Sequence, residues 1–179
     1  MATGSSKRRV RAPNQKARTA SRAAARYDLD NLESHEVGAL VSLTRRAYRV
    51  PGRPGTLVTR VIEDERSVRA DLSQGVTIMV ARTHSAKPRL LGAVRLVEDR
   101  GALFFSRLAV APAARGRGLG AALVGAAESS ARAWGLDEVR CDVALGKDLI
   151  GFYERLGYEV EHEYMGPGGL AKAQLVKRL

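Results

Sequence analysis

The stretch Leu108-Ala109-Val110-Ala111-Pro112-Ala113-Ala114-Arg115-Gly116-Arg117-Gly118-Leu119-Gly120 decides how this chain is read. An apolar run suited to a strand ends at Pro112, a short loop follows, and three alternating glycines open a helix. Glycines at Gly116, Gly118 and Gly120 leave no Cβ between the backbone and a bulky ligand. The first N–H groups of a helix have no partner inside it, and together with the helix dipole they attract phosphate oxygens. Arg115 and Arg117 add positive charge beside them. The segment has the chemistry of a pyrophosphate-binding turn.

Two other phosphate motifs are weighed against it. Gly116-x-Gly118-x-x-Ala121 also fits the dinucleotide fingerprint, with Glu138 twenty residues beyond Gly118. A dinucleotide turn, however, leaves its strand almost directly into the first glycine, and it opens a long βαβ series. Here Ala111–Arg115 intervene, a three-strand meander precedes the turn, and too little chain follows. No Gly-Lys-Ser or Gly-Lys-Thr is present to make a Walker loop. A helix start with three glycines that bound nothing would only cost stability.

The surroundings are read outward from the turn. Downstream, Leu119, Leu123, Ala126, Ala127, Ser130 and Trp134 form one helical stripe, and Gly135 is placed to stop it in a left-handed conformation. Val139–Val143 reads as a strand. Asp148 is the expected cap of a short helix to about Leu156, ended by Gly157. Strands at about Tyr158–Tyr164 and Ala173–Lys177 flank Met165–Gly169. Upstream, Val76–Arg82, Leu90–Val97 and Ala102–Val110 are β-rich runs joined by short polar segments, an antiparallel meander. A helix covers Asp64 to Leu72, with Gly75 closing it. Pro51–Gly55 forces a loop. Ser34 is the expected cap of a helix over His35–Tyr48, whose apolar positions are Val37, Leu40, Val41, Leu43 and Ala47. Tyr27–Leu32 reads as a short edge strand.

Composition narrows the class. The 179 residues suit one domain plus a tail, and 45% are hydrophobic. No apolar run approaches the roughly 20 residues needed to span a bilayer, so a cytoplasmic protein with no membrane partner is expected. Cys141 is the one cysteine. A single cysteine excludes an intrachain disulfide framework and a cysteine zinc site. His35, His84 and His162 share no ligand spacing, so no metal is expected. The net charge is +11. Residues 1–26 carry Lys7, Arg8, Arg9, Arg11, Lys16, Arg18, Arg22 and Arg26 and no acid, so most of the charge sits in an arm rather than on a folded face. Residues 1–26 read as a disordered basic arm and 27–179 as a single domain. Contact of the arm with nucleic acid and an organelle transit segment are the alternatives.

Arg115-x-x-Gly118-x-Gly120 resembles the Arg/Gln-x-x-Gly-x-Gly/Ala signature of the GNAT superfamily of acyl-CoA N-acyltransferases. Arg107-Leu-Ala-Val-Ala-Pro112 is similar to that family's fourth strand. Phe152-Tyr-Glu-Arg-Leu-Gly-Tyr158 is similar to its Tyr-Glu-Lys-x-Gly-Phe block. The two blocks stand in the family's spacing, and the order of elements over about 27–179 follows its plan. The resemblance implies an α+β (α/β) fold with a mixed, mostly antiparallel sheet of about six to seven strands and about four helices. It implies acetyl-CoA as co-substrate, held by a fourth strand that splays from the fifth at Leu108, Ala109 and Val110. The amides of Arg115, Gly116, Arg117, Gly118, Leu119, Gly120 and Ala121 would take the pyrophosphate. Tyr153 would protonate the departing thiolate, and an amide near Leu108–Val110 would stabilise the oxyanion. A homodimer is a common assembly among relatives.

The chain also departs from the family. Gly146 stands where many relatives carry asparagine, and Ala102–Val110 carries no acid where some relatives have a glutamate base. Glu98, Asp99 and Asp142 are read as solvated or structural carboxylates, and Cys141 as a small core residue, which leaves the base unassigned. The acceptor, an amine on a small molecule or a protein, is unspecified. Its wall is expected from about Ala47–Thr59 and Met165–Gly169, near the basic Arg45, Arg46, Arg49 and Arg53. The rival reading is an acyl-CoA-sensing or nucleic-acid-associated binding protein on the same fold, acting through residues 1–26.

Overall fold

Seven strands lie in one sheet, in the order β1-β2-β3-β4-β5-β7-β6, in a computed structural model that describes residues 27–49, 63–145, 147–166 and 169–179. They are β1 (Tyr27–Asn31), β2 (Thr77–Thr83), β3 (Leu90–Asp99), β4 (Ala102–Val110), β5 (Glu138–Ala144), β6 (Glu159–Gly166) and β7 (Leu170–Arg178). The basic arm, the Pro51–Gly55 loop with Arg53, and Gly146 lie outside the described residues. Every pairing is antiparallel except β4 with β5. The expected meander is β2-β3-β4, and β1 is the expected edge. The sheet and its four helices match the expected α+β architecture. No helix among the described residues is long and apolar enough to cross a membrane.

Alternation along the strands sends successive side chains to opposite faces. Val139, Cys141 and Val143 of β5 turn to one face with Leu103 and Phe105 of β4. There they meet Leu119, Leu123, Val124, Ala127 and Ala131 of α3 (Leu119–Ala133). α4 (Lys147–Glu154) joins this side through Tyr153. On the other face, Val37, Leu40, Val41 and Leu43 of α1 (Val37–Ala47) cover Ile78, Val80, Leu90 and Ala93, together with Val68 of α2 (Glu65–Ser73). Leu119, Leu123 and Ala127 of the expected α3 stripe are buried. Ala126 and Ser130 are only half-buried, and Val124 and Ala131 take the core positions beside them.

Helix starts differ from the sequence reading for local reasons. Ser34 does not cap α1: it lies inside a 3-10 turn, Ser34–Glu36. The Glu36 carboxylate instead accepts the Glu33 N–H at 2.9 Å, and it grips the Arg82 guanidinium of β2 through two bonds. A charged, two-pronged partner outcompetes a serine hydroxyl. Asp64 is the cap of α2 rather than its first residue: its Oδ1 accepts the Ser67 N–H at 2.8 Å. Asp148 lies within α4, not ahead of it.

Gly92 sets how closely α3 lies on the sheet. A Cβ there would stand 2.8 Å from Leu123 Cδ1 and 3.0 Å from the Ala109 carbonyl oxygen. The side chain can shift, but the carbonyl belongs to a paired strand and cannot. Gly92→Ala is therefore expected to destabilise by about 1–3 kcal/mol, read as a Tm lowered by several degrees. An unchanged Tm would mean that α3 is not held against β3 in this way.

Candidate active site

β4 and β5 part company early. Only Leu103, Phe104 and Phe105 pair with Val139, Arg140 and Cys141. Beyond them the two strands run on unpaired to each other, leaving a gap flanked by Ser106–Val110 and Asp142–Ala144. The cause lies on the other side of β4. Between the β3–β4 pairs Arg95↔Ser106 and Ala93↔Ala109, β3 contributes one residue and β4 contributes two, Arg107 and Leu108. This is a β-bulge, which adds a residue to one strand and bends and twists it. Arg107 adopts φ +52, a left-handed conformation that costs a non-glycine residue about 1–3 kcal/mol.

A buried ionic cluster holds the bulge. Glu63, at 1% exposure, pairs with Arg95, which also pairs with Asp71 of α2. Arg107 Nη1 is buried 3.8 Å from Glu63 Oε1, held by charge rather than by a hydrogen bond. Arg45 donates to the Glu63 carbonyl at 3.4 Å. Burial and the neighbouring Arg107 pull Arg95 down to about 10, so at neutral pH it remains a cation between its two carboxylates. Sequence reasoning missed this cluster. Glu63 is one of three consecutive acids, Glu63-Asp64-Glu65, at a helix start in the sequence, and only the register brings Arg95 and Arg107 to it.

The structure divides the three expected β4 residues. The Ala111 N–H bonds to the Leu91 carbonyl on β3 at 2.8 Å. Alternation then turns the peptide groups of Ala109 towards β3, and those of Leu108 and Val110 towards the gap. There, side chains take the place of a strand. The Tyr48 hydroxyl donates to the Leu108 carbonyl at 3.0 Å, and Arg115 Nε donates to the Val110 carbonyl at 3.2 Å. Arg115 Nη2 also donates to the Ala47 carbonyl at the end of α1. Arg115 therefore braces the turn against β4 and α1, and Arg117 is the exposed arginine with no such bond.

Past a 3-10 turn, Pro112–Ala114, the backbone turns through Gly116 (φ +70) and Gly118 (φ +78), conformations that glycine adopts without penalty. The first bond inside α3 is Ala122 N–H to the Gly118 carbonyl. The N–H groups of Leu119, Gly120 and Ala121 therefore have no partner within the helix. No acid occupies the first turn of α3, so its positive end is uncompensated. Gly120 faces α4: a Cβ there would lie 3.4 Å from the Phe152 ring, at ordinary contact distance.

Tyr153 projects from α4 into an aromatic group, 6.0 Å from Phe105, 4.9 Å from Phe152 and 5.9 Å from Tyr158 between ring centroids. Burial pushes its phenol well above the usual tyrosine range, with Cys141 and Tyr48 adding to the shift. It stays a neutral O–H donor. Cys141 is buried at the last paired position of β5, and burial pushes its thiol up as well, so it is a core residue rather than a thiolate. Of the other acids, Glu98 and Asp99 are exposed, while Asp142 accepts from the Tyr164 hydroxyl at 2.6 Å and from Gln174 at 3.4 Å. Glu138, the acid of the discarded dinucleotide reading, pairs with Arg140 on its own strand. Among the described residues no three or more His, Cys, Asp or Glu are placed to hold a metal ion.

Comparison with known proteins agrees with this geometry. The model of the Acetyltransferase (GNAT) family matches residues 40–158. Among solved structures, the chain is similar to a ribosomal-protein-alanine N-acetyltransferase from Brucella melitensis, at 16% identity and TM-score 0.66, covering 85% of this chain and 99% of that one. A phosphinothricin acetyltransferase from Sinorhizobium meliloti in complex with AcCoA is 17% identical with TM-score 0.69, covering 86% and 89%. An acetyltransferase of the GNAT family from Streptococcus pneumoniae is 14% identical with TM-score 0.68, covering 86% and 99%. At these identities the likeness is one of fold. No curated protein matches by sequence.

Replacing Glu63 would leave Arg95 and Arg107 facing each other with one carboxylate fewer. Glu63→Gln is expected to cost roughly 3 kcal/mol, as for a broken buried pair, seen as a lower urea midpoint. A midpoint equal to that of the unaltered chain would show that the cluster does not hold the bulge.

Proposed function

The chain belongs to the GNAT acetyltransferase family, and we propose that it transfers the acetyl group of acetyl-CoA to a primary amine by direct attack in a ternary complex. The observation that carries this reading is the gap between β4 and β5, with the glycine turn leading into it and a buried phenol beside it. Acetyl-CoA as donor is supported by the complex known for the phosphinothricin acetyltransferase.

On this reading the amides of Arg115 through Ala121 take the pyrophosphate, and Arg117 supplies charge. The pantetheine arm runs beside Leu108, Ala109 and Val110, with the gap-facing N–H groups of Leu108 and Val110 as its partners and as the oxyanion donors. An acceptor that arrives as an ammonium first loses a proton to water. The neutral amine then attacks the thioester carbonyl, the C–S bond breaks with its electron pair on sulfur, Tyr153 gives that sulfur its proton, and the proton shed by the acylated nitrogen returns through water to the Tyr153 oxygen. Burial keeps the Tyr153 phenol protonated, so it is available as a proton donor at neutral pH. The acceptor wall is assigned to about Ala47–Thr59 and Met165–Gly169, of which Ala47–Arg49, Met165, Gly166 and Gly169 are among the described residues.

Tyr153→Phe removes the proton donor and keeps the ring. It is expected to lower kcat roughly 100-fold while the acetyl-CoA Kd moves less than about twofold. Unchanged kcat would sink the acid role. The sign of the pH effect follows from the upward shift. The active O–H form survives past the usual tyrosine value of 10.0, so Tyr153 should cause no alkaline loss of kcat below about pH 10.

A further inference from the structure

We propose that Asp142 is the specificity-determining residue that receives the acceptor as an ammonium, and that the acceptor reaches the gap over the face of β5 and β7 that no described helix covers. This rests on the acetyltransfer reading above.

Asp142 is the first residue of β5 beyond the last pair with β4, Phe105↔Cys141. It stands at the mouth of the gap. Cys141 points to the α3 side, into the core cluster that holds Tyr153. Alternation therefore sends Asp142 to the other face. The register agrees, because Asp142 pairs with Gln174 on β7 and shares that face with Phe104 and Arg140, in a shallow depression that runs down to Val97–Arg100 at the β3–β4 hairpin. The gap is thus bracketed by a phenol on one face and a carboxylate on the other. These are the two sides from which a thioester carbonyl loses its sulfur and meets its nucleophile.

The carboxylate is also oriented for the task. Tyr164 holds Oδ2 and Gln174 lies near Oδ1. A carboxylate offers about four lone-pair positions, so two donors leave room for an ammonium. The neighbouring cation on this strand, Arg140, is engaged by Glu138 at 2.5 Å, which leaves Asp142 free to take an incoming cation. Asp142 is half-exposed, so an incoming cation can reach it.

The test begins with acetyl-CoA binding to the unaltered chain. No binding would overturn the acetyltransfer reading, and with it this proposal, before any variant is made. With binding established, thiol release is followed with the best acceptor from a panel of alaninamide, lysine and spermidine. Asp142→Asn and Asp142→Ser both remove the charge and keep a small polar group. Each is expected to raise the KM for the amine at least tenfold while the KM for acetyl-CoA moves less than twofold, and Asp142→Glu should recover part of the amine affinity. If the amine KM stays within twofold in both neutral variants, or if both KM values rise together, Asp142 is only an anchor for Tyr164 and the proposal fails.

Discussion

A parallel pair of strands is held by evenly spaced hydrogen bonds, and in this protein one such pair lasts for only three residues on each side. The extra residue in β4 bends the strand at Arg107, and the left-handed backbone there must be held by something. Glu63, Arg95 and Asp71 do so from beneath, joining the start of α2 to β3 and the bulge. Tyr48 does so from the end of α1, through the Leu108 carbonyl. The first two helices are thus more than a cover for one face: they keep the sheet open at the place where a ligand can replace a strand.

The remaining parts are arranged around that opening. α3 presents unpaired N–H groups at its start, and the acid-free first turn leaves them attractive to an anion. Phe152 of α4 packs beside Gly120, and Tyr153 lies against Phe105 at the end of the paired segment. Lys177 of β7 donates to the Leu156 carbonyl and to Glu128 of α3, fixing the far end of α4 to the same layer. Glycine turn, gap and phenol therefore share one frame built from β4, β5, α3 and α4.

Much of this was legible in the sequence because it is local. Alternating glycines, a Pro at the strand end, β-branched runs and the apolar positions of α1 each act over a few residues. Tyr153 was legible through a block of residues in a fixed spacing from the turn. What was not legible depends on register. The bulge follows from counting residues between pairs on two strands, and no local signal in Arg107-Leu108 announces it. Glu63 gains meaning only when α2 is packed over β3. The assignment of Leu108 and Val110 to the gap, and of Ala109 to β3, likewise needs the pairing. The Ser34 cap was misread because Glu36 has a partner, Arg82, that lies 46 residues away.

The central claim is that the turn from Arg115 to Gly120 and the adjoining gap hold acetyl-CoA. Calorimetric titration of the full chain with acetyl-CoA, repeated on Gly118→Glu, tests it most directly. Gly118 has φ +78, and a glutamate there brings both backbone strain and a negative charge to the helix start. The account predicts saturable binding to the unaltered chain and at least tenfold weaker binding to a folded Gly118→Glu. Equal affinity in both would place the ligand elsewhere, and no binding to either would contradict the account.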